Sequence, residues 1–212
     1  MELRPSYPVA TARLLLRPLS TADTDDLVAY RSLEEVCRFV PFDPMNTAVV
    51  LEKLEGGWSR RAIVAEGDAL TLGVELAESR QLIGDVMLLF HSAEHRGGEI
   101  GWVFHPGHSG HGYATEASHA MLHLAYEQLG LHRVIARVDA RNDASLRLAD
   151  RLGMRREADL KSNEWFKGAW SDEIDLALLE DEWTAQHAAG RLSCSSPLGP
   201  PSHAGGRGRS RD

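Results

Sequence analysis

The chain has 212 residues and a net charge of −8, with 43% hydrophobic and 25% charged residues. That is the profile of one globular domain large enough to bury its own core, and it excludes a collagenous or wholly disordered chain. The longest purely apolar run, residues 86–90, is far short of a membrane span, and the N-terminus has no signal-peptide core. Cys37 and Cys194 are too few for a disulfide framework, so a reducing cytoplasm is the expected compartment. Residues 190–212 carry four arginines against one aspartate amid Gly, Pro and Ser. This composition reads as a disordered tail following a domain of residues 1–189. The domain itself is therefore more acidic than the whole. It repels phosphate backbones, which argues against nucleic acid and for a cationic or amine-bearing partner.

The chain opens with a short strand at residues 13–19, stopped by Pro18, and a helix from Thr21 to about residue 31 with acids in its first turn. Thr47, Leu51, Leu54 and Trp58 fall at helical spacing and predict a second helix over residues 46–60. The period then changes. Residues 70–77, 82–90 and 99–105 are rich in Val, Ile, Leu and Phe and read as three antiparallel strands of a meander. A helix is expected over 112–129, with Ala114, Ala117, Met121 and Leu124 on one face, then a strand over 134–138. A short helix over 142–152 closes on Gly153. Two strands near 154–166 and 173–179, with a turn at Gly168, precede a helix from Glu180. Strands first, then strand–helix–strand–helix, point to a mixed α/β or α+β sheet.

The segment His105-Pro-Gly-His-Ser-Gly-His-Gly-Tyr-Ala-Thr-Glu-Ala117 joins a strand to a helix through glycines. Bare N–H groups at a helix N-terminus make an anion site. Gly107 and Gly112 have P-loop spacing, but Tyr113 stands where the phosphate lysine belongs. Gly110 and Gly112 begin a dinucleotide fingerprint, but Thr115 replaces its third glycine. A nucleophile elbow around Ser109 fails at His111. His105, His108 and His111, and the pair His119 and His123, resemble metal spacings, yet the first three lie in a glycine loop and the pair lacks a third ligand, so no metal is expected.

The run Gly110-His-Gly-Tyr-Ala-Thr115 resembles the acyl-CoA pyrophosphate loop of the GNAT superfamily of N-acetyltransferases. The resemblance extends to Glu99-Ile-Gly-Trp-Val-Phe before it and to Asn142-Asp-Ala-Ser-Leu after the next strand. The opening RLLLRPLSTADTDDL and the late Lys167-Gly-Ala-Trp-Ser-Asp are similar to the ribosomal-protein-alanine N-acetyltransferase branch, so the likeness covers about residues 12–185. It implies a GNAT-like α+β fold, with a mostly antiparallel twisted sheet of six to seven strands flanked by helices. It also implies transfer of an acetyl group from acetyl-CoA to a primary amine, by direct attack in a ternary complex and without a metal. The cofactor-binding set it implies is Val103, Phe104, Ser109, Gly110, His111, Gly112, Tyr113, Ala114, Thr115 and Asn142. Val103 and Phe104 would pair by main chain with the pantetheine amides, and Asn142 would add a side-chain hydrogen bond to its role as a helix cap. Two positions depart from the family pattern: Ser109 stands where Gln or Arg is usual, and His111 where Lys or Arg is common.

An amine is mostly protonated at pH 7, so attack on a thioester profits from a base, and the leaving thiolate from an acid. Glu99, on the strand face of Gly101 and Val103, is the candidate base; its other reading is an exposed strand glutamate. Ser145 is the candidate acid by the resemblance and otherwise an ordinary first-turn serine. The tyrosine that commonly serves the family as acid has no counterpart in residues 154–180. The acceptor is expected against residues 31–60, where Glu34, Glu35 and Asp43 lie beside Phe42 and Trp58. Trp58, Trp102 and Trp165 are expected in the core or the pocket wall. A protein N-terminus, a lysine and a small amine all stay open as acceptors, as do acetyl against succinyl, a weakly catalytic acyl-CoA-binding module, and a monomer against a homodimer.

Overall fold

The computed structural model describes residues 1–191. Strands β1 (Val9–Ala10) and β2 (Leu14–Pro18) lead through a 3-10 turn, Thr21–Asp23, into α1 (Thr24–Arg31). Asp23 caps this entry by accepting from Ser20 N at 2.8 Å, and Arg17 reaches from β2 to both Asp23 and Glu75. Helix α2 (Glu34–Cys37) is one turn long. Helix α3 (Thr47–Lys53) is capped by the Asn46 side chain and gives way to a wide turn at Leu54–Trp58, inside which Gly57 leaves helical geometry. The helix expected over 46–60 is thus interrupted, because paired glycines contribute little to helical stability there.

The meander appears as β3 (Ala69–Leu76), β4 (Leu82–Ser92) and β5 (Gly97–Phe104), all antiparallel. After it come α4 (Tyr113–His123) with a wide turn at Leu124–Gln128, β6 (Arg133–Asp139) and α5 (Asp143–Arg151). Strands β7 (Arg155–Phe166) and β8 (Ala169–Leu179) form a hairpin, and α6 (Glu180–Arg191) follows. Helix α6 therefore runs two residues into the stretch assigned to the tail, and residues 192–212 lie outside the described part. The sheet has eight strands in the order β1-β2-β3-β4-β5-β6-β8-β7. One more strand is present than the six to seven expected: β1 is two residues long, too short to show a period. The fold is mixed α/β, as expected, with one parallel pair, β5 with β6.

The core lies on both sheet faces. Ile100, Val134, Val138, Ile174, Leu176 and Leu178 of the strands pack with Ala117, Met121 and Leu122 of α4, Leu148 of α5 and Trp183 of α6. On the opposite face Leu19 and Leu82 pack with Leu27, Tyr30, Val50 and Leu54 around α1 and α3. Burial of these side chains, at about 25 cal/mol per Å² of apolar surface, is the main force holding the layers together. Among the described residues, no helix is long and apolar enough to cross a membrane.

Helix α6 docks through aromatic contacts. The Trp183 ring lies 5.4 Å from Tyr126 and 3.7 Å from His187, and its Nε1 donates to Glu127 at 3.1 Å. His119 of α4 sits 5.8 Å from Trp183 and 5.9 Å from His187. Burial, and then the neighbouring His187, hold His119 below its ordinary pKa. The folded state therefore binds this proton less readily than the unfolded chain. The stability that neutral His119 contributes is whole above the unfolded pKa of about 6.5 and is lost as pH falls below it. Melting curves at pH 7.5 and 5.5 should show a lower Tm at the acid pH, and His119→Gln should reduce that drop. An identical drop in the variant would mean that His119 does not carry it. A change of 1 kcal/mol moves Tm by roughly 2–4 °C in a domain of this size, so the effect is readable.

Candidate active site

Strands β5 and β6 pair over only three positions, Gly97↔Arg133, Gly98↔Val134 and Glu99↔Ile135. Beyond Glu99 each strand follows its antiparallel neighbour: β5 stays on β4 as far as Phe104, and β6 on β8 as far as Asp139. The two halves of the sheet diverge, leaving the β6-facing edge of β5 at Val103 and Phe104 without a strand partner. Two cavities open there. A pocket of ≈ 270 Å³ is bounded by Glu99, Gly101, Asp85, Trp58 and the loop residues Phe39 to Pro41. A groove of ≈ 620 Å³ runs between the glycine loop and α5. The two share Val40, Trp102, Val103, Asn142 and Ser145 as a common wall.

The groove collects most of the expected cofactor set: Val103, Phe104, Ser109, Gly110, Gly112, Tyr113, Ala114, Thr115 and Asn142. Gly110 and Gly112 have φ of 81° and 79°, left-handed values that a side chain would strain. Gly112 is the N-cap of α4, so the first amides of that helix face the groove with the positive end of its dipole. His111 is not in the groove lining. Its ring stacks on Tyr113 at 5.5 Å, and its carbonyl accepts from Arg13 Nη1 at 2.9 Å. Arg13 and Thr11 also hydrogen-bond Glu116 of α4, at 2.7 and 2.6 Å, tying the loop to the start of β2. The positive charge absent from positions 109 and 111 comes instead from Arg147 and Arg151 of α5, which line the groove. Arg151 Nε also donates to Thr115 Oγ1 at 3.2 Å. Helical spacing on α5 put these two arginines on one face in the sequence. Their partner across the groove became visible only on folding.

Glu99 and Ser145 both line the smaller pocket. Glu99 Oε2 lies 3.0 Å from His91 Nε2 and 3.6 Å from Arg137 Nη2. Ser145 Oγ accepts from Trp102 Nε1 at 3.1 Å, which leaves its own hydroxyl hydrogen free. Asn142 caps α5 by accepting from Ser145 N through Oδ1, at 3.1 Å. The amide Nδ2 is a separate donor, so the cap and a ligand contact use different atoms.

Residues 31–60 do wall the pocket, though not with the expected acids. Glu34, Glu35 and Asp43 are exposed, while Phe39, Val40, Pro41 and Trp58 face inward. Phe42 stacks instead over the Arg31 guanidinium, at 4.9 Å. The pocket's carboxylates come from the strands, as Asp85, Glu99 and Asp139. Trp58 and Trp102 are pocket wall as expected; Trp165 is 61% exposed, because the β7–β8 hairpin runs past the core, and its ring meets Trp170 edge-on. Among the described residues, no group of three His, Cys, Asp or Glu has a metal-binding arrangement.

The pocket floor holds an ion pair that sequence reading missed. Arg31 Nη2 donates to both oxygens of Asp85 at 2.7 Å, and Tyr30 Oη donates to Asp85 Oδ2 at 2.6 Å. All three residues are buried, and Trp58 covers the guanidinium at 4.3 Å. The signal was faint: an adjacent Tyr-Arg at a helix end and one aspartate in an apolar strand.

The sequence profile described as Acetyltransferase (GNAT) domain matches residues 13–155. An uncharacterized N-acetyltransferase of Bacillus subtilis, YnaD, is 32% identical over 82% of this chain and 98% of its own. The crystal structure of a GNAT-family acetyltransferase from Bacillus anthracis superposes with a TM-score of 0.72 at 28% identity, covering 86% of this chain and 100% of that one. A spermidine N-acetyltransferase from Vibrio cholerae, crystallised with CoA and spermine, has the same fold, with a TM-score of 0.70 at 22% identity over 82% of this chain and 99% of its own. The chain belongs to the GNAT family of acyl-CoA-dependent acetyltransferases.

Asp85→Ala would strand the buried Arg31 charge, which should cost roughly 3–5 kcal/mol of stability in denaturant unfolding. The double variant Arg31→Met with Asp85→Leu should recover most of it. A loss under about 1 kcal/mol for Asp85→Ala would show that water reaches the pair and screens it.

Proposed function

We propose that this GNAT enzyme acetylates a primary amine that carries a second cationic group, by direct attack on acetyl-CoA in a ternary complex. The observation that carries the reading is the wall shared by the two cavities. Whatever lies along the groove and whatever enters the pocket meet at Trp102, Val103 and Ser145, with Glu99 on the pocket side.

The groove suits a pantetheine diphosphate. The α4 amides and Arg147 and Arg151 supply positive potential for phosphates, and the free edge of β5 at Val103 and Phe104 offers strand-type hydrogen bonds to an extended amide chain. Asn142 Nδ2 is a further donor toward that chain. Bound there, acetyl-CoA supplies an acetyl group already activated as a thioester. The acceptor nitrogen loses a proton to the Glu99 carboxylate, directly or through a water, as its bond to the acetyl carbon forms. His91, 3.0 Å from Glu99, offers that proton a path outward. As the carbon–sulfur bond breaks, the Ser145 hydroxyl is free to donate to the sulfur, since Trp102 already occupies its acceptor side.

The acceptor's second charge is argued from the outer end of the pocket. A further cavity of ≈ 230 Å³ continues past Glu99 and Asp139 to Glu164, Asp172 and Glu173; Arg137 also lines it, and Arg141 and Lys161 pair with Asp139 and Asp172, so its carboxylates outnumber the cations beside them. Burial, and then the nearby Asp175, push the Glu173 carboxyl above its ordinary pKa, with Arg137 acting in the opposite direction. A diamine or polyamine would offset that excess of carboxylates. The Vibrio cholerae relative, crystallised with spermine, supports the same class.

Free-thiol release should be measured from acetyl-CoA with a panel of spermidine, spermine, monoamines and peptides. Spermidine or spermine should give the highest kcat/KM, and a peptide preferred over every polyamine would overturn the dication reading. Glu99→Gln should lower kcat at pH 7 by roughly 10²–10⁴-fold, less at higher pH, where more amine is neutral, and Ser145→Ala by on the order of 10- to 100-fold. CoA affinity should barely change in Glu99→Gln. Wild-type turnover in Glu99→Gln would remove Glu99 from the chemistry, leaving a pocket that lowers the amine's own pKa.

Gly112→Val places a β-branched residue at φ 79° where the α4 amides face the groove. Calorimetry should find most CoA affinity lost in a variant that still folds. Unchanged CoA binding would mean that the glycine loop is not the phosphate site.

A further inference from the structure

Of the Lys167-Gly-Ala-Trp-Ser-Asp segment, Ser171 and Asp172 line the outer cavity, and its lysine reaches the acceptor pocket's wall. Lys167 sits at the tip of the β7–β8 hairpin with φ 49°, followed by Gly168 at 81°, which turns the chain between paired Phe166 and Ala169. Its ammonium crosses to the other half of the molecule. Lys167 Nζ donates to the carbonyls of Cys37 at 2.5 Å and Phe42 at 2.8 Å, and lies 3.7 Å from Asp43 Oδ1.

Residues 37–43 have few hydrogen bonds of their own; Cys37 is buried, Phe42 packs beside α1, and Arg141 lies over the Phe39 ring at 5.7 Å. Helix α2 ends at Cys37, and the segment beyond it is irregular, with internal bonds from Val40 N to Cys37 O at 3.4 Å and from Phe42 N to Val40 O at 2.8 Å. Phe42 rests on Arg31, and Cys37 Sγ donates to Arg31 O at 3.2 Å. Among the described residues, Lys167 supplies the only side-chain hydrogen bonds that tie residues 37–43 to the sheet. The tied segment matters because Phe39 and Pro41 line both the acceptor pocket and its outer extension, and Val40 lies on the wall shared with the groove. The outer extension is a gap between this segment and the hairpin, with Phe39 and Pro41 on one side and Glu164, Phe166, Ser171 and Glu173 on the other. Lys167 bridges the same two walls, so its reach sets their separation.

We infer that Lys167 is a positioning residue for the amine acceptor, holding the 37–43 segment against the β7–β8 hairpin so that the pocket keeps its width. It does not touch the reacting atoms. Its role in acceptor binding rests on the transferase reading above; the tether itself does not.

The test uses the full chain with Lys167→Asn, since Asn tolerates the left-handed backbone and removes the ammonium, and with Lys167→Arg as the conservative variant. Amide hydrogen exchange read by mass spectrometry should speed up roughly tenfold or more over residues 38–43 in Lys167→Asn, with the remaining segments unchanged. With the best amine of the panel, the acceptor KM should rise roughly fivefold or more while kcat and CoA affinity stay within about twofold, as a loss of preorganisation predicts. Lys167→Arg should restore most of both. Unchanged exchange overturns the tether. Faster exchange with an unchanged acceptor KM, or a fall in kcat alone, overturns the positioning role. If the wild type releases no thiol with any amine, the transferase reading falls and the acceptor role with it, while the exchange result still decides the tether.

Discussion

The site exists because β5 and β6 share only three positions of parallel pairing and then part. Each strand has a stronger commitment on its other side. Strand β5 is paired with β4 along its whole length, and β6 with β8 along its whole length, in antiparallel ladders that impose their own twist. The root of the divergence is packed closely. A Cβ at Gly98 would meet Leu131 Cδ1 at 2.7 Å and Leu89 O at 2.9 Å, so a glycine is needed where the two halves still touch. Past that point Trp102 leans across the opening to Ser145, and the first turn of α5 fills its far side. The result is a slot through the sheet with one strand edge bare.

On the face of the sheet that carries Glu99, α1 and the residues after it act as a cover. Its anchor is the buried Arg31–Asp85 pair, completed by Tyr30 and roofed by Trp58. Burial, and then the Asp85 charge, push the Tyr30 phenol well above its ordinary pKa, so it stays a donor throughout the physiological range. Such a pair is costly to desolvate and contributes little net stability, but it allows few alternative arrangements. It fixes α1, and therefore the cover, over one strand position beside Val103. The cover's free end is held from the opposite half of the sheet by Lys167, so both halves that diverge at Glu99 contribute to the same wall.

Charge in the groove has been redistributed rather than lost. Ser109 brings no charge to the loop, and His111 turns away to stack on Tyr113. Arg147 and Arg151 face the groove from α5 instead, and Arg13 fastens the loop from outside through Glu116. The potential in the groove does not depend on which element carries the flanking charge, since electrostatic attraction depends on distance and not on chain order.

Much was legible in the sequence because it is encoded locally. The meander, the strand after α4, the hairpin and the helices over α4 and α5 followed from periodicity. So did the N-cap at Asn142 and the stop at Gly153, each a matter of a few neighbouring residues. The glycine loop was legible for the same reason: positive φ at Gly110 and Gly112 is a backbone requirement that only a few residue types meet. The grouping of Glu99 with Ser145 in one pocket required knowledge that strand β5 and helix α5 flank the same slot. That is a property of sheet topology. Two misses are local, the helix broken at Gly57 and the two-residue β1, and those that bear on the site are long-range. Nothing within a few residues of Arg31 announces Asp85, and nothing near Lys167 announces the carbonyls of Cys37 and Phe42. In sequence the 31–60 segment offers Glu34, Glu35 and Asp43 to an acceptor; in the fold these acids are exposed, and Phe39, Val40, Pro41 and Trp58 line the cavity. The sequence by itself thus determined the local conformations and the chemistry on offer. Only the tertiary structure decided which side chains meet, because ion pairs, cavities and strand edges arise between segments that share no local pattern.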